Sequence, residues 1–292
     1  MKVLIATDGS KYSEEAATFL ARLPHREPME LTIVAVTPSI EIFGNAEMVE
    51  WKQRYYEEEK RKAVQACERI ERLFLGADVT TESVISDGHV GTQITDEAKK
   101  RQCDLVVVGA LGHTTLERMM VGSVSDFVAT HSPCSVLVFR PSIAKGRTHH
   151  DLHLCVAYDN SEPSKFALKQ LEAFQWGPQT HLDIVSGFAS PMSYSEFPME
   201  VDIREIQKGL ETQLEAVAQE VRPSFPKVNS EVIQVFNVGD SLVDYTREKQ
   251  TDLLVVGDTG NGLIARFLMG SVSRYVLRHA ACSVWIARKP TK

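Results

Sequence analysis

The sequence predicts an α/β protein built of two tandem domains, each a doubly wound parallel sheet of five strands. Three observations carry that expectation. A Gly/Ser pattern, Gly109-Ala110-Leu111-Gly112 and, after nine residues, Gly122-Ser123-Val124-Ser125, stands behind an apolar run from Leu105 to Val108. It returns 148 positions later as Gly257-Asp258-Thr259-Gly260 and Gly270-Ser271-Val272-Ser273, behind Leu253 to Val256. Apolar runs of strand length alternate with helical patterns in each half, which favours right-handed crossovers between parallel strands. The 292 residues are long for one core and suit two domains of about 145 residues, 1–144 and 145–292.

The elements follow in order. Val3 to Asp8 is a first strand ending in an acid and a turn; Leu154 to Asp159 is its copy. Ser10 and Ser161 are N-cap candidates for the helices that follow, and Pro163 suits a first helical turn. Second strands run from Leu31 to Val36 and from Leu182 to Gly187. Long helices are expected over about Ala46 to Leu75 and Val201 to Val221. The charge run Glu57 to Lys62 reads as a solvated face with i,i+4 pairs. Third strands are Thr80 to Ile85 and Asn229 to Val235, with helices starting after Gly91 and Gly239. The fourth strands, the Gly/Ser stretches, helices from Ser123 and Ser271, and last strands Ser135 to Arg140 and Ser283 to Arg288 complete each half. The linker is roughly Pro141 to His150. Near-continuous apolar strands fit sheets covered on both faces.

Composition narrows the function. A net charge of −7 lacks the basic footprint of a nucleic-acid binder. No stretch approaches the roughly 18 apolar residues of a membrane span, and no signal-peptide core precedes Asp8. Cys67, Cys103, Cys134, Cys155 and Cys282 form no paired motif and read as small core residues of a reducing compartment. A cytoplasmic protein is expected.

In an open parallel sheet, ligands sit beyond the carboxyl ends of strands where the strand order reverses. Asp8, Asp159 and both Gly/Ser stretches lie at such ends. Gly109 and Gly112 allow positive φ and close approach of a ligand. Gly122 to Ser125 opens a helix whose amides and dipole attract an anion, and the serine hydroxyls can donate to phosphate.

This Gly-x2-Gly-x9-Gly-Ser pattern after a fourth strand, with an Asp ending the first, resembles the ATP-binding class of the universal stress protein family. The resemblance covers nearly the whole chain as two copies. It implies Rossmann-like domains of the adenine-nucleotide alpha-hydrolase type, strand order 3-2-1-4-5, binding ATP, often with Mg²⁺. It also implies pairing between domains along the last strands, here between the two halves of one chain, with further homodimer formation left open. Carried over, Ala6, Thr7, Asp8 and Val36 border the adenosine, and Gly109, Gly112, Gly122, Ser123, Val124 and Ser125 hold ribose and phosphates. The second-half counterparts are Ala157, Tyr158, Asp159, Gly257, Gly260, Gly270, Ser271, Val272 and Ser273. There Tyr158 replaces Thr7, and Gly187 stands where Val36 does.

Other motifs do not hold. Gly260-Asn261-Gly262-Leu263-Ile264-Ala265 fits a dinucleotide fingerprint but lacks the acid about 20 residues on. No P-loop occurs. His149, His150 and His153 read as a solvated linker. His131 and His279 match in position and read as packing or capping residues; Arg118 and Arg266 match as surface or phosphate-reaching residues. No nucleophile–base set is legible. Three functions follow: an ATP-binding stress-response module, a slow ATP hydrolase, or a nucleotide-independent scaffold.

Overall fold

The computed structural model describes residues 1–23, 25–37, 39, 46–111, 121–141, 152–188, 203–259 and 269–290. Gly112, Gly260, Arg118, Arg266, His149, His150 and the 261–265 part of the dinucleotide-like motif lie outside those residues. The chain divides into two compact units, the first formed by Met1–Arg140 and the second by Pro141–Arg288.

In the first unit β1 (Lys2–Thr7), α1 (Lys11–Ala21), β2 (Met29–Thr37), α2 (Ala46–Leu73), β3 (Val79–Asp87), α3 (Val90–Arg101), β4 (Leu105–Gly109), α4 (Ser123–His131) and β5 (Ser135–Phe139) follow one another. The second unit repeats them as β6 (His153–Ala157), α5 (Glu162–Leu171), β7 (His181–Phe188), α6 (Ile203–Val221), β8 (Lys227–Gln234), α7 (Val238–Glu248), β9 (Leu253–Gly257), α8 (Ser271–His279) and β10 (Ser283–Ala287). The strand orders are β3-β2-β1-β4-β5 and β8-β7-β6-β9-β10, all pairings within each unit being parallel. The order expected from the resemblance is therefore found in both units.

The central strands are apolar on both faces, as sheets covered by helices require. Val3, Leu4, Ile5, Val106 and Val107 have no exposed surface, nor do Leu154, Val156, Leu254 and Val255. The outer strand β3 instead alternates with exposed residues. In the second unit Trp285 meets Phe174 edge-on at 5.7 Å, and Trp176 stacks on Phe225. No helix of the described residues is long and apolar enough to cross a membrane.

Two boundaries differ from expectation for one reason. α3 and α7 start before Gly91 and Gly239, not after them, because His89 and Asn237 cap them. The glycines sit in the first turn, where a Cβ would come 2.4 Å from Phe127 Cδ1 and 2.7 Å from Tyr275 Cδ1. They mark close helix–helix packing, not a helix boundary.

Candidate functional site

Chain order reverses between β1 and β4, and again between β6 and β9, so their carboxyl ends flank a crevice in each unit. The turn leaving β1 is built from its own side chains. Asp8 Oδ1 accepts the Ser10 N–H at 2.9 Å, Thr7 Oγ1 accepts the Gly9 N–H at 3.1 Å, and Gly9 takes φ +74°. Ser10 then caps α1 by accepting from the Ser13 N–H. In the second unit Asp159 Oδ1 accepts the Ser161 N–H at 3.0 Å, Asn160 takes φ +61°, and Ser161 caps α5. Asparagine tolerates the left-handed region because its short polar chain bonds locally. Both acidic residues are exposed at the crevice.

The Gly/Ser stretches close the other side. Gly122 donates its N–H to the Ala110 carbonyl at 2.7 Å, and Gly270 does the same to Asp258 at 2.7 Å. Two expectations change here. Gly109 is not among the positive-φ glycines of the described residues. A Cβ on Gly109 would lie 3.2 Å from the Tyr12 backbone, and one on Gly257 2.6 Å from Pro163 Cβ. What comes close to these glycines is the first turn of α1 or α5. The second change concerns the serines. Ser125 and Ser273 are buried and each gives its hydroxyl proton to the Gly109 or Gly257 carbonyl at 2.6 Å. They pin helix to strand. Ser123 and Ser271, by contrast, are exposed at the first helical position.

The helix starts themselves differ. α1, α3, α5 and α7 each have a side-chain cap, from Ser10, His89, Ser161 and Asn237. α4 and α8 begin at Gly122 and Gly270 with no side-chain cap. A glycine at that position leaves the first-turn amides to an outside acceptor.

A cavity of about 440 Å³ opens beside the α4 start. Ser123 and Val124 line it together with Ser39, Gly88, Val90 and two residues the sequence did not single out, His89 and Phe127. His89 packs edge-on against Phe127 at 5.3 Å, and its Nδ1 accepts the Thr92 N–H at 3.3 Å. The matched capping residues His89 and Asn237, two positions before the repeated glycines, were the signal available.

The second unit departs at this wall. Between the last strand residue and the cap, the first unit has only Gly88, at φ +134°; the second has Val235 and Phe236. Gly187 replaces Val36, and the space is filled from the neighbouring segment. A Cβ on Gly187 would meet Val235 Cγ1 at 3.3 Å, and Val235 is buried. Phe236 is 79% exposed. Tyr158, buried at the end of β6, donates its hydroxyl to Asn160 at 3.3 Å, and burial pushes its phenol above the usual range. Asp258 stands where the first unit has Ala110 and pairs with Arg288 Nε at 3.2 Å.

The histidines divide. His131 and His279 pack as expected, stacking on Phe127 at 4.2 Å and Tyr275 at 4.0 Å with Nδ1 at those residues' carbonyls. His153 does not belong to a solvated linker. It begins β6, with Nδ1 2.9 Å from the Lys249 carbonyl and Nε2 2.7 Å from Asp183 Oδ2. Tyr245 and Asn229 also reach Asp183. Burial pushes the Asp183 carboxyl up, but the hydrogen bond and charge of His153, with Tyr245 and Asn229, outweigh it and hold the group below its usual range. All five cysteines are buried and none forms a disulfide. No cluster of three or more metal-type ligands exists among the described residues.

Comparisons with known proteins agree with this architecture. The family model described as the universal stress protein family matches residues 1–140 and again 152–288. A universal stress protein of Mycobacterium tuberculosis is 29% identical over 304 residues, covering 98% of this chain and 97% of that protein. One from Bacillus subtilis is 30% identical over 145 residues, 48% of this chain and 98% of its own. The crystal structure of a universal stress protein from Archaeoglobus fulgidus superposes with a TM-score of 0.65 at 17% identity, covering 99% of this chain and 96% of that one. At that identity the likeness concerns the fold.

Proposed function

The chain belongs to the universal stress protein family, and on that premise we propose that it is an ATP-binding regulatory module of the stress response, with one nucleotide seat per half. One observation supports this most. Among the six helices whose starts are described, the two that follow the Gly/Ser stretches lack a side-chain cap, while the other four are capped. Uncapped amides and the dipole end of a helix suit phosphate.

In this reading the phosphates rest on the amides of Ser123, Val124 and Ser125, with the Ser123 hydroxyl donating and Gly112 and Gly122 keeping the approach clear. Adenosine lies between Ala6, Thr7, Asp8 and Val36. Ser271, Val272, Ser273, Gly260, Gly270, Ala157, Tyr158 and Asp159 serve the second seat. Mg²⁺ would enter with the triphosphate, near the exposed Asp8 or Asp159. Occupancy would act by shifting conformations or partner surfaces.

Two further points belong to the proposal. β5 and β10 end their own units' strand orders, and apolar edge strands such as Val136-Leu137-Val138 need covering. Pairing along these last strands would supply it; after cutting between Pro141 and His150 the halves should still co-elute. The five buried thiols suit a reducing cytoplasm.

The experiment is to denature freshly purified protein and count released adenine nucleotide per chain, then titrate MgATP. Bound, intact ATP supports the module. Multiple-turnover phosphate release abolished by Asp8→Ala would turn the reading to a hydrolase. Absence of binding at millimolar ATP would turn it to a scaffold.

A further inference from the structure

We infer that His89 is a binding residue of the first-half seat, giving a ring N–H to the phosphate of the bound nucleotide, and that its absence from the second half makes the two seats unequal. The inference rests on the ATP-binding reading above and names a residue outside the Gly/Ser pattern.

The tautomer follows from the cap. The Thr92 backbone N–H can only donate, so Nδ1 of His89 accepts it. In the neutral ring the proton is then on Nε2. The Thr92 hydroxyl, 3.0 Å from the same Nδ1, donates as well. His89 therefore has one N–H left, on a side chain that lines the same 440 Å³ cavity as Ser123 and Val124. Among the described lining residues the wall otherwise offers Ser39, the bare backbone of Gly88 and Gly91, and the apolar surfaces of Val90 and Phe127. No carboxylate is among its described lining residues. The edge-on packing of Phe127 at 5.3 Å restrains the imidazole. The pocket thus presents donors beside an apolar wall, which suits a phosphate joined to a flat heterocycle. Because Ser123 is the proposed phosphate contact, the phosphate is the acceptor within the shared space.

The second half keeps the cap and lacks the imidazole. Asn237 Oδ1 accepts the Gly239 N–H at 2.9 Å and the Asp240 N–H at 3.3 Å. Tyr275, the counterpart of Phe127, gives its hydroxyl to Asp240 Oδ1.

This natural difference supplies a test that spares the fold. Asparagine caps a helix well, so His89→Asn should leave the unliganded melting temperature unchanged. MgATP titration of the full chain should show the tighter binding step weakened roughly ten- to a hundredfold, as for a lost hydrogen bond to a charged group. His89→Asp also caps but adds a negative charge, and should weaken that step more. Adenosine binding should be unchanged in both variants, since the contact is to phosphate. Two variants that bind MgATP like the native protein would overturn the inference. An equal loss for adenosine would overturn its phosphate assignment. A native chain that binds no nucleotide would overturn the reading beneath it, and is distinguishable because that failure precedes any variant.

Discussion

The two halves repeat one fold, and the places where they differ divide into two kinds. At the crevice they share the Asp turn, the glycine hydrogen bond to the strand-end carbonyl and the serine pin, with equal distances of 2.7 and 2.6 Å in both copies. Around that frame the second half changes its wall: Val235 fills over Gly187, Phe236 projects outward, and Asp258 brings a carboxylate. Away from the crevice it holds a buried polar network around Asp183. By strand register Asp183 corresponds to Thr32, and His153 to Lys2. The frame is what folding needs, and the walls and inner polar groups are where the copies were free to diverge.

The strongest way to separate the halves is to break that network. Asp183→Asn leaves His153 facing a neutral partner inside the second half. Removing one member of a buried pair costs about 3–5 kcal/mol. Thermal unfolding should split, with the second half melting first; a single transition shifted as a whole would mean that the halves are not independent.

Adding a methyl group tests the shared packing. Gly91→Ala and Gly239→Ala place a Cβ within 2.4 and 2.7 Å of an aromatic ring, so each ring must move. Overpacking of this kind costs about 1–3 kcal/mol, read as a lowered urea midpoint. Equal costs would show that the helix contact is a property of the frame; a cost in one half alone would show that it has diverged.

Acid should also discriminate. The Asp183 carboxyl is held below its usual range in the folded state, so it binds protons more weakly there than in the unfolded chain. Its contribution is present above the ordinary carboxylate range and is lost as pH falls through the depressed folded value. Hydrogen exchange from pH 6 to pH 3 should therefore show the second half opening first. The effect should vanish in Asp183→Asn, and persistence there would place the acid-sensitive group elsewhere.

The smallest expected effect is at Asp258. Its charge is paired with Arg288, so Asp258→Ala should raise second-seat affinity for MgATP only a few-fold, to about tenfold at most. Weaker binding in that variant would mean that the carboxylate helps, for instance through Mg²⁺.

Much of the fold is legible in the sequence, because folding imposes patterns that sequence carries directly. Ser10 and Ser161 could be read as caps from their position before a helical run, and the strand order came with the family pattern. Less could be read where a residue's reason lies across space. Gly91 looked like a boundary because Phe127, whose ring demands the glycine, is 36 positions away. His153 looked like part of a linker because its partners, Asp183 and Lys249, come from other elements. Ser125 looked like a phosphate ligand because its role, pinning Gly109, is visible only when strand end and helix start are brought together. His89 gave no local sign beyond its match to Asn237.

The central claim, two adenine-nucleotide seats of which the first is the tighter, is tested most directly by calorimetric titration of the full chain with MgATP, native and Gly122→Val. A Cβ at Gly122 would already lie 3.3 Å from the Ala110 carbonyl oxygen, and the valine methyls would crowd the amides of the α4 start. The account predicts two binding steps in the native protein and loss of the tighter one in the variant. A native chain with no binding, or a variant that keeps the tighter step, would contradict it.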